Sequence, residues 1–444
     1  MATETAAAAG AVLDSWREAG IRFVRFELPD MHGTSRSKTV PIERAYGYAE
    51  HGLNMYGGVA VLDSRSDVVG GTLYNEEVAY GDQMLTPDLE TAAVVPWLEG
   101  TARWICDSAW ADGRPLEALP RRVYRRQLER AQALGYEPVI GYEPEFYLLT
   151  PDHQPLFEGY HIFNTTRNTY VPFIQELVER LNEYGMEIIT ANCEYAGSQW
   201  EIPFLPGRGM AGPDRCFSFK NAVKELAHLH GYTATFMSKP FAGGAGSGMH
   251  THISLVSLSD GGNAFADESD PVGISEVCRS FVAGQLAHAR ATYAVLAPTV
   301  NCLKRRRPHT FSPSNISWGP EDRSALVRIK GGSLESRHIE NRAPTALANP
   351  YLVAAALLAA GLDGIERELE LEPAAKGPAE EDASKPPLPL TVHESLEALE
   401  ADEALAGALG QDFVTAYTTM RRHELQRFDD HVTDWERAEY IDIY

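Results

Sequence analysis

The stretch IGYEPEFYLL, Ile140–Leu149, constrains this chain more than any other. It places two carboxylates, Glu143 and Glu145, two residues apart inside an apolar run. If the run is a strand, side chains at i and i+2 share a face. Both acids then project together from a largely buried element. Buried carboxylates are uncommon unless paired or bound to a metal. Neighbouring negative charges repel, so a positive group should stand near them. A hard divalent cation fits, because Mg²⁺ and Mn²⁺ favour oxygen ligands. A salt bridge to Arg or Lys fits as well, as does a strand with one acid in and one out. This stretch alone leaves these readings open.

With 444 residues the chain can build two or three domains around a large core. Its net charge of −23 argues against a general nucleic-acid binder, which needs a basic face for phosphates. The five cysteines (Cys106, Cys193, Cys216, Cys278 and Cys302) are scattered and form no CxxC. No disulfide framework or zinc site is expected, and a reducing cytoplasm is the natural compartment. The first twenty residues lack a basic start and contain Glu4, Asp14 and Glu18, so they read as an amphipathic helix. The longest apolar run, Tyr351–Leu362, is well short of the ~20 residues of a membrane helix. It reads as a buried core helix, and no membrane partner is expected.

Residues 21–30 read as a half-exposed strand, and Ser35–Val40 as its hairpin mate across a Met31-His32-Gly33 turn. Residues 54–75 read as loop and strand, and Leu85–Trp97 as a closing strand. Residues 111–120 form a turn-rich bridge. Helices are expected at Arg121–Leu134, Tyr170–Tyr184 and Phe217–His230, and strands at Met186–Thr190 and Tyr232–Ser238. Residues 371–389, rich in Pro and charge, read as an exposed loop. His393–Glu439 reads as two helical segments meeting at Asp412-Phe413.

Four further stretches offer what the twin glutamates need. CEYAGSQWEI carries Glu194 and Glu201, and GGAGSGMHTHIS carries His250 and His252. NCLKRRRPHTFSPSN concentrates basic residues, and residues 321–344 hold Arg323, Arg328, Glu340 and Arg342. Singly, each stretch has a structural reading: solvated acids, bonded histidines, a flexible turn, a basic patch. The glycine loop lacks the Lys-Ser/Thr ending of a P-loop. Together the stretches describe a site with an acidic half and an arginine half, suited to a metal–nucleotide complex and a carboxylate substrate.

The motifs GYEPEFYLL, CEYAGSQWEI, GSGMHTHIS, NCLKR, EDRSALVRI and IENR, in this order, resemble the glutamine synthetase family over nearly the whole chain. The resemblance implies an α+β fold: a small N-terminal β-grasp-like domain over 1–112 and a larger α/β catalytic domain over 113–444. It implies two to three Mg²⁺ or Mn²⁺ ions per site, with ATP as co-substrate. Glu145, Glu194 and Glu201 match the ligands of a first ion; Glu143, His250 and Glu340 match those of a second. Gly246, His250, Arg305 and Arg342 match glutamate-holding positions. Arg323 and Arg328 match arginines facing the transferring phosphate, and His252 and Ser254 match nucleotide-side positions. It also implies stacked hexameric rings, a dodecamer, whose sites are completed by the neighbour's N-terminal domain. All six metal-ligand positions keep competent donors, which argues against a catalytically silent homologue.

The departures lie at the nucleophile end. Ammonia-using members carry a flap glutamate where an ungapped alignment places Phe311. Their DGSS aspartate has no clear counterpart in residues 54–67, where Asp63 and Asp67 lie nearby. Fewer anions should weaken a pocket for a small cation, and Phe311 adds apolar surface. The expected product is a γ-glutamylamide of an amine larger than ammonia; glutamine itself is the alternative. Ala245 replaces an asparagine of many members. The 371–389 loop has no tyrosine to adenylylate.

Overall fold

Two long strands, Thr101–Trp110 and Tyr136–Leu149, each sit inside a sheet and organise it. The computed structural model describes residues 2–159, 162–307 and 309–444, with side chains from residue 7. Among the described residues, the first sheet has six strands. Its main path runs Ser35–Pro41, Phe23–Pro29, Thr101–Trp110, Asp82–Pro87, Leu53–Tyr56, and Ala93–Val94 also pairs with Thr101–Trp110. Phe23–Pro29 pairs antiparallel with Ser35–Pro41 and parallel with Thr101–Trp110. The Asp30 carboxylate accepts the backbone N–H of His32 and of Thr34, each at 2.9 Å, and so closes the hairpin turn. Helix Ala2–Glu18 covers this sheet, with Trp16 against Trp104 at 4.7 Å between ring centres.

Among the described residues, the second sheet has nine strands, and Tyr136–Leu149 pairs with four of them. Period-two alternation divides this strand. Tyr142 and Phe146 face a helical layer, so Glu143 and Glu145 face the other way. Phe146 packs on Phe219 of helix Ala211–Leu229, and the Tyr142 hydroxyl donates to the Pro350 carbonyl at 2.8 Å. Helix Pro350–Glu366 has Pro at its start, and the Asn349 side chain accepts from the N–H of Tyr351. Every residue from 351 to 362 is buried, as expected of a core helix. Among the described residues, no helix is long and apolar enough to cross a membrane. All five cysteines are free and buried.

Several expectations need correction. Strand Thr101–Trp110 lies beyond the strand expected to end near Pro96. Its Arg103 and Asp107 break the apolar run, but Arg103 is buried by bonds to the hydroxyls of Tyr184 and Ser218. Met186–Thr190 forms no strand, only a single bridge from Ile188 to Phe204. The C-terminal region is four helices, Val392–Ala401, Glu403–Leu409, Gln411–Asp429 and Asp434–Tyr440. The break expected at Asp412-Phe413 falls instead at Gly410, whose φ of +95° suits a glycine.

His288 ties three helical segments together. Its Nδ1 lies 2.6 Å from Asp402 and its Nε2 2.9 Å from Asp363. Burial alone would lower its pKa, but the two aspartates outweigh burial and raise it above 6.5. His288→Ala should therefore destabilise the protein by about 2–3 kcal/mol. The deficit should be full below the unfolded pKa of about 6.5 and fade as pH rises through the higher folded value. Thermal melts of both proteins across pH 5.5–9 check this; a pH-independent deficit would contradict the ion-pair account.

Candidate active site

Antiparallel register assembles the acids. His250 lies opposite Glu143, and Glu201 opposite Glu145. Glu340 lies opposite both His252 and Arg328 on its two neighbouring strands. Directly opposed residues share a face, so these side chains converge over the sheet surface away from the helices.

Two groups of donors result. In one, His250 Nδ1 is 3.5 Å from both Glu143 and Glu340. His252 Nε2 is 3.1 Å from Glu143. Glu143, His252 and Glu340 present ligand atoms within 4.8 Å of one another, close enough to hold a metal ion. His252, expected on the nucleotide side, thus also belongs to the metal-competent cluster. Its Nδ1 lies 3.1 Å from Nε2 of His338, whose own Nδ1 is 2.6 Å from the Ser336 carbonyl. Ring partners of this kind orient metal-binding histidines.

The other group is Glu145, Glu194 and Glu201. Glu145 accepts from the Gln199 amide at 2.9 Å and the Gly248 N–H at 3.1 Å. Burial, and then the charge of Glu145, push Glu194 up to about 8. Burial, and then Glu143 and Glu145, push Glu201 up to about 9. The histidine-containing group behaves oppositely. Burial resists ionisation of Glu340, but His250, Arg342 and His252 hold it down to about 2. Burial likewise opposes the Glu143 charge, yet His252 and His250 keep its pKa well below the usual range. Glu145, Glu194 and Glu201 are therefore an oxygen donor set that cannot ionise together without an added positive charge, which a hard divalent cation would supply.

The arginine half adjoins them. Arg305 is buried against the glycine loop: a side chain at Gly246 would overlap its Cγ, and one at Gly248 would stand 2.6 Å from its Nη2. The glycines are therefore a requirement of close packing, beyond a flexible turn. Arg305 Nη1 donates to the Arg342 carbonyl at 3.3 Å, and its Nη2 lies 3.4 Å from His250 Nε2. Arg342 pairs with Glu340 and donates to the Phe311 carbonyl at 3.3 Å. Arg328 donates to Glu340 at 3.0 Å and also pairs with Glu321. Arg323 is exposed, and its charge acts on Glu194. Ser254 shares the face of His250 and His252 and is half-buried.

Phe311 is 45% exposed and stacks on Tyr195, with ring centres 6.2 Å apart. Asp63, expected near the amine, is not brought to this cluster. It is fully buried, accepts the N–H groups of Arg65 and Asp67, and pairs with Arg427 at 2.9 Å. The polar loop folds back on the C-terminal helix, and that spends the aspartate. Sequence reasoning passed over Gln199, His338 and Tyr195. Gln199 and His338 each stand two residues before a site glutamate, so strand periodicity could have found them. Tyr195 sits on a loop and left no such signal.

The family described as glutamine synthetase, catalytic domain, matches residues 117–440. The glutamine synthetase of Thermotoga maritima is 34% identical, covering 96% of this chain and 97% of that protein. The gamma-glutamylethanolamide synthetase GlnA4 of Streptomyces coelicolor is 33% identical, covering 92% and 90%. A solved structure of GmaS with ADP superposes with a TM-score of 0.86 at 30% identity, covering 97% of this chain and 99% of that one. The motifs, the strand register and these matches agree: the chain belongs to the glutamine synthetase family of ATP-dependent carbon–nitrogen ligases.

Proposed function

We propose that the protein joins the γ-carboxylate of glutamate to a primary amine larger than ammonia, giving a γ-glutamylamide. The observation that carries this reading is Phe311. Where ammonia-using relatives place a flap glutamate, an aromatic ring stacks on Tyr195, and its backbone is bonded to Arg342. The relatives named for ethanolamide synthesis and GmaS support a larger amine. Several relatives named glutamine synthetase favour ammonia, the competing reading.

The reaction follows from the two halves of the site. Arg305, Arg342 and Gly246 hold glutamate with its γ-carboxylate toward the acids. The ATP γ-phosphoryl group passes to a γ-carboxylate oxygen and ADP leaves. The amine nitrogen attacks the acyl carbon of the γ-glutamyl phosphate, phosphate departs and the nitrogen loses a proton. Divalent cations held by Glu145, Glu194 and Glu201, and by Glu143, His250, His252 and Glu340, would neutralise phosphate charge. Arg323 and Arg328 add fixed positive charge beside the transferring group. Residues 1–112 and 113–444 are taken as separate domains of a cytoplasmic homo-oligomer, a dodecamer of two stacked rings. Asp63 has no part in the chemistry of its own chain's site.

Glu145→Gln keeps the shape and an acceptor for the Gly248 N–H but removes the charge. It should cut ATP- and glutamate-dependent phosphate release at least about a hundredfold. The melting temperature should stay near wild type, while Mn²⁺ titration followed by electron paramagnetic resonance loses one site. Full retention of Mn²⁺ binding would remove Glu145 from the ligand set.

Wild type given glutamate, ATP and an amine panel should turn over at least one alkyl or aryl amine more efficiently than ammonia. Phe311→Glu should move that preference toward ammonia by about tenfold or more in the ratio of kcat/KM values. Ammonia as the best nucleophile of wild type would overturn the proposal.

A further inference from the structure

The strands build the acid and arginine halves, but they do not build the end where the amine must enter. Two loops frame that end: residues 194–198, which begin with Glu194, and the segment that follows Arg305. The Tyr195–Phe311 stack joins them, with an interplanar angle of 27°. We infer that Tyr195 and Phe311 are a specificity device that selects a primary monoamine with an apolar, preferably aromatic, body; this rests on the ligase reading above.

Position gives the first argument. Tyr195 follows Glu194, and its N–H donates back to that carboxylate at 3.2 Å. The Phe311 carbonyl takes a bond from Arg342, which also pairs with Glu340. Each ring is thus anchored, through its own backbone, to a residue of the reacting site. A body lying on the rings would hold its amino group near the acyl carbon.

Exposure and backbone give the second. The rings are 39% and 45% exposed, so they offer apolar faces that the chain itself does not cover. Phe311 holds a φ of +55°, a region that bulky residues rarely enter. Such conformations persist where the surroundings over-determine them, and they concentrate at ligand clamps. Here the Arg342 bond is one such restraint, and the ring stack is another.

Charge gives the third. The segment leading to Phe311 contains Lys304, Arg306 and Arg307. Arg306 lies over the Tyr293 ring, whereas Lys304 and Arg307 are exposed and make no ion pair among the described residues. Glu380, bonded to the His309 N–H, is an acid beside the same segment, so the two free cations set its net sign and disfavour a second ammonium group there. A diamine would gain some attraction to the ring faces, but that term is small at exposed sites. An uncharged body gains the apolar contact without the repulsion.

The test is an initial-rate assay of the full-length protein with saturating ATP, Mg²⁺ and glutamate. The amines are ammonia, methylamine, 3-methylbutylamine, 2-phenylethylamine and 1,4-diaminobutane. For wild type, kcat/KM with 2-phenylethylamine should exceed that with methylamine and with the diamine by about tenfold or more. Tyr195→Ala and Phe311→Ala should each shrink this ratio about tenfold, acting on the amine KM more than on the glutamate KM. Tyr195→Phe should preserve it. Preference for the diamine, or a ratio that survives both alanine variants, would overturn the inference. So would equal loss with every amine accompanied by altered assembly on size exclusion, because the rings would then be structural. In those cases the ligase reading stands if wild type uses any amine better than ammonia. If wild type uses ammonia alone, both fail.

Discussion

Repulsion among carboxylates is the constraint on which the rest of this structure depends. Glu143, Glu145, Glu194, Glu201 and Glu340 crowd one face of a single sheet. Two unit charges 4 Å apart interact by about 4 kcal/mol at an effective dielectric constant near 20. Local compensation is uneven. Glu340 has Arg328 and Arg342, and Glu143 has two histidines. Among the described residues, the hydrogen bonds Glu145 accepts come from the neutral donors Gln199 and Gly248, and the Arg305 charge acts on it without a direct bond. Glu194 and Glu201 are driven toward protonation instead. The acids that lack a local cation thus lie on one side of the site, and that is where an added cation, by letting them ionise, gains most.

A crowd of like charges holds together only if the backbone leaves it no room to spread. Strand Tyr136–Leu149 supplies that stiffness, because its neighbours fix it in register and a helical layer covers its other face. Tyr142 and Phe146 anchor the strand from below, so Glu143 and Glu145 cannot turn away from each other. A one-residue slip would exchange the two faces and bury the acids against Phe219. The glycines that admit Arg305 extend the same logic, since its guanidinium reaches His250 only where no side chain blocks it.

What the sequence made legible follows from this. Glu143, Glu145, Glu201 and Glu340 lie on strands, where a period of two marks a shared face, so spacing could put Glu143 and Glu145 on one side, and the other motifs were needed to give them a joint role. The core helix at 351–362 was readable from its unbroken apolar run. Strand Thr101–Trp110 was not, because its Arg103 is buried by partners distant in sequence, Tyr184 and Ser218. Asp63 looked available because one-dimensional proximity carries no record of Arg427, more than three hundred residues away. His252 was assigned to the nucleotide alone, because its distance to Glu143 depends on side-chain direction as well as register.

The same physics separates chemistry from specificity. Every strand-borne acid is locked by cross-strand neighbours, so exchanging one disturbs several others. Tyr195 and Phe311 sit on loops, touch each other through ring faces and are tied to the site through backbone atoms. A side chain there can be replaced without shifting the carboxylates beneath it, because a backbone hydrogen bond does not depend on which side chain it carries. Loops positioned by a rigid scaffold are where binding diversity accumulates. Relatives named for glutamine and for an ethanolamide match this chain at nearly equal identity. That is the pattern expected when one rigid acid set serves different nucleophiles, and overall identity is then blind to the few loop residues that choose between them.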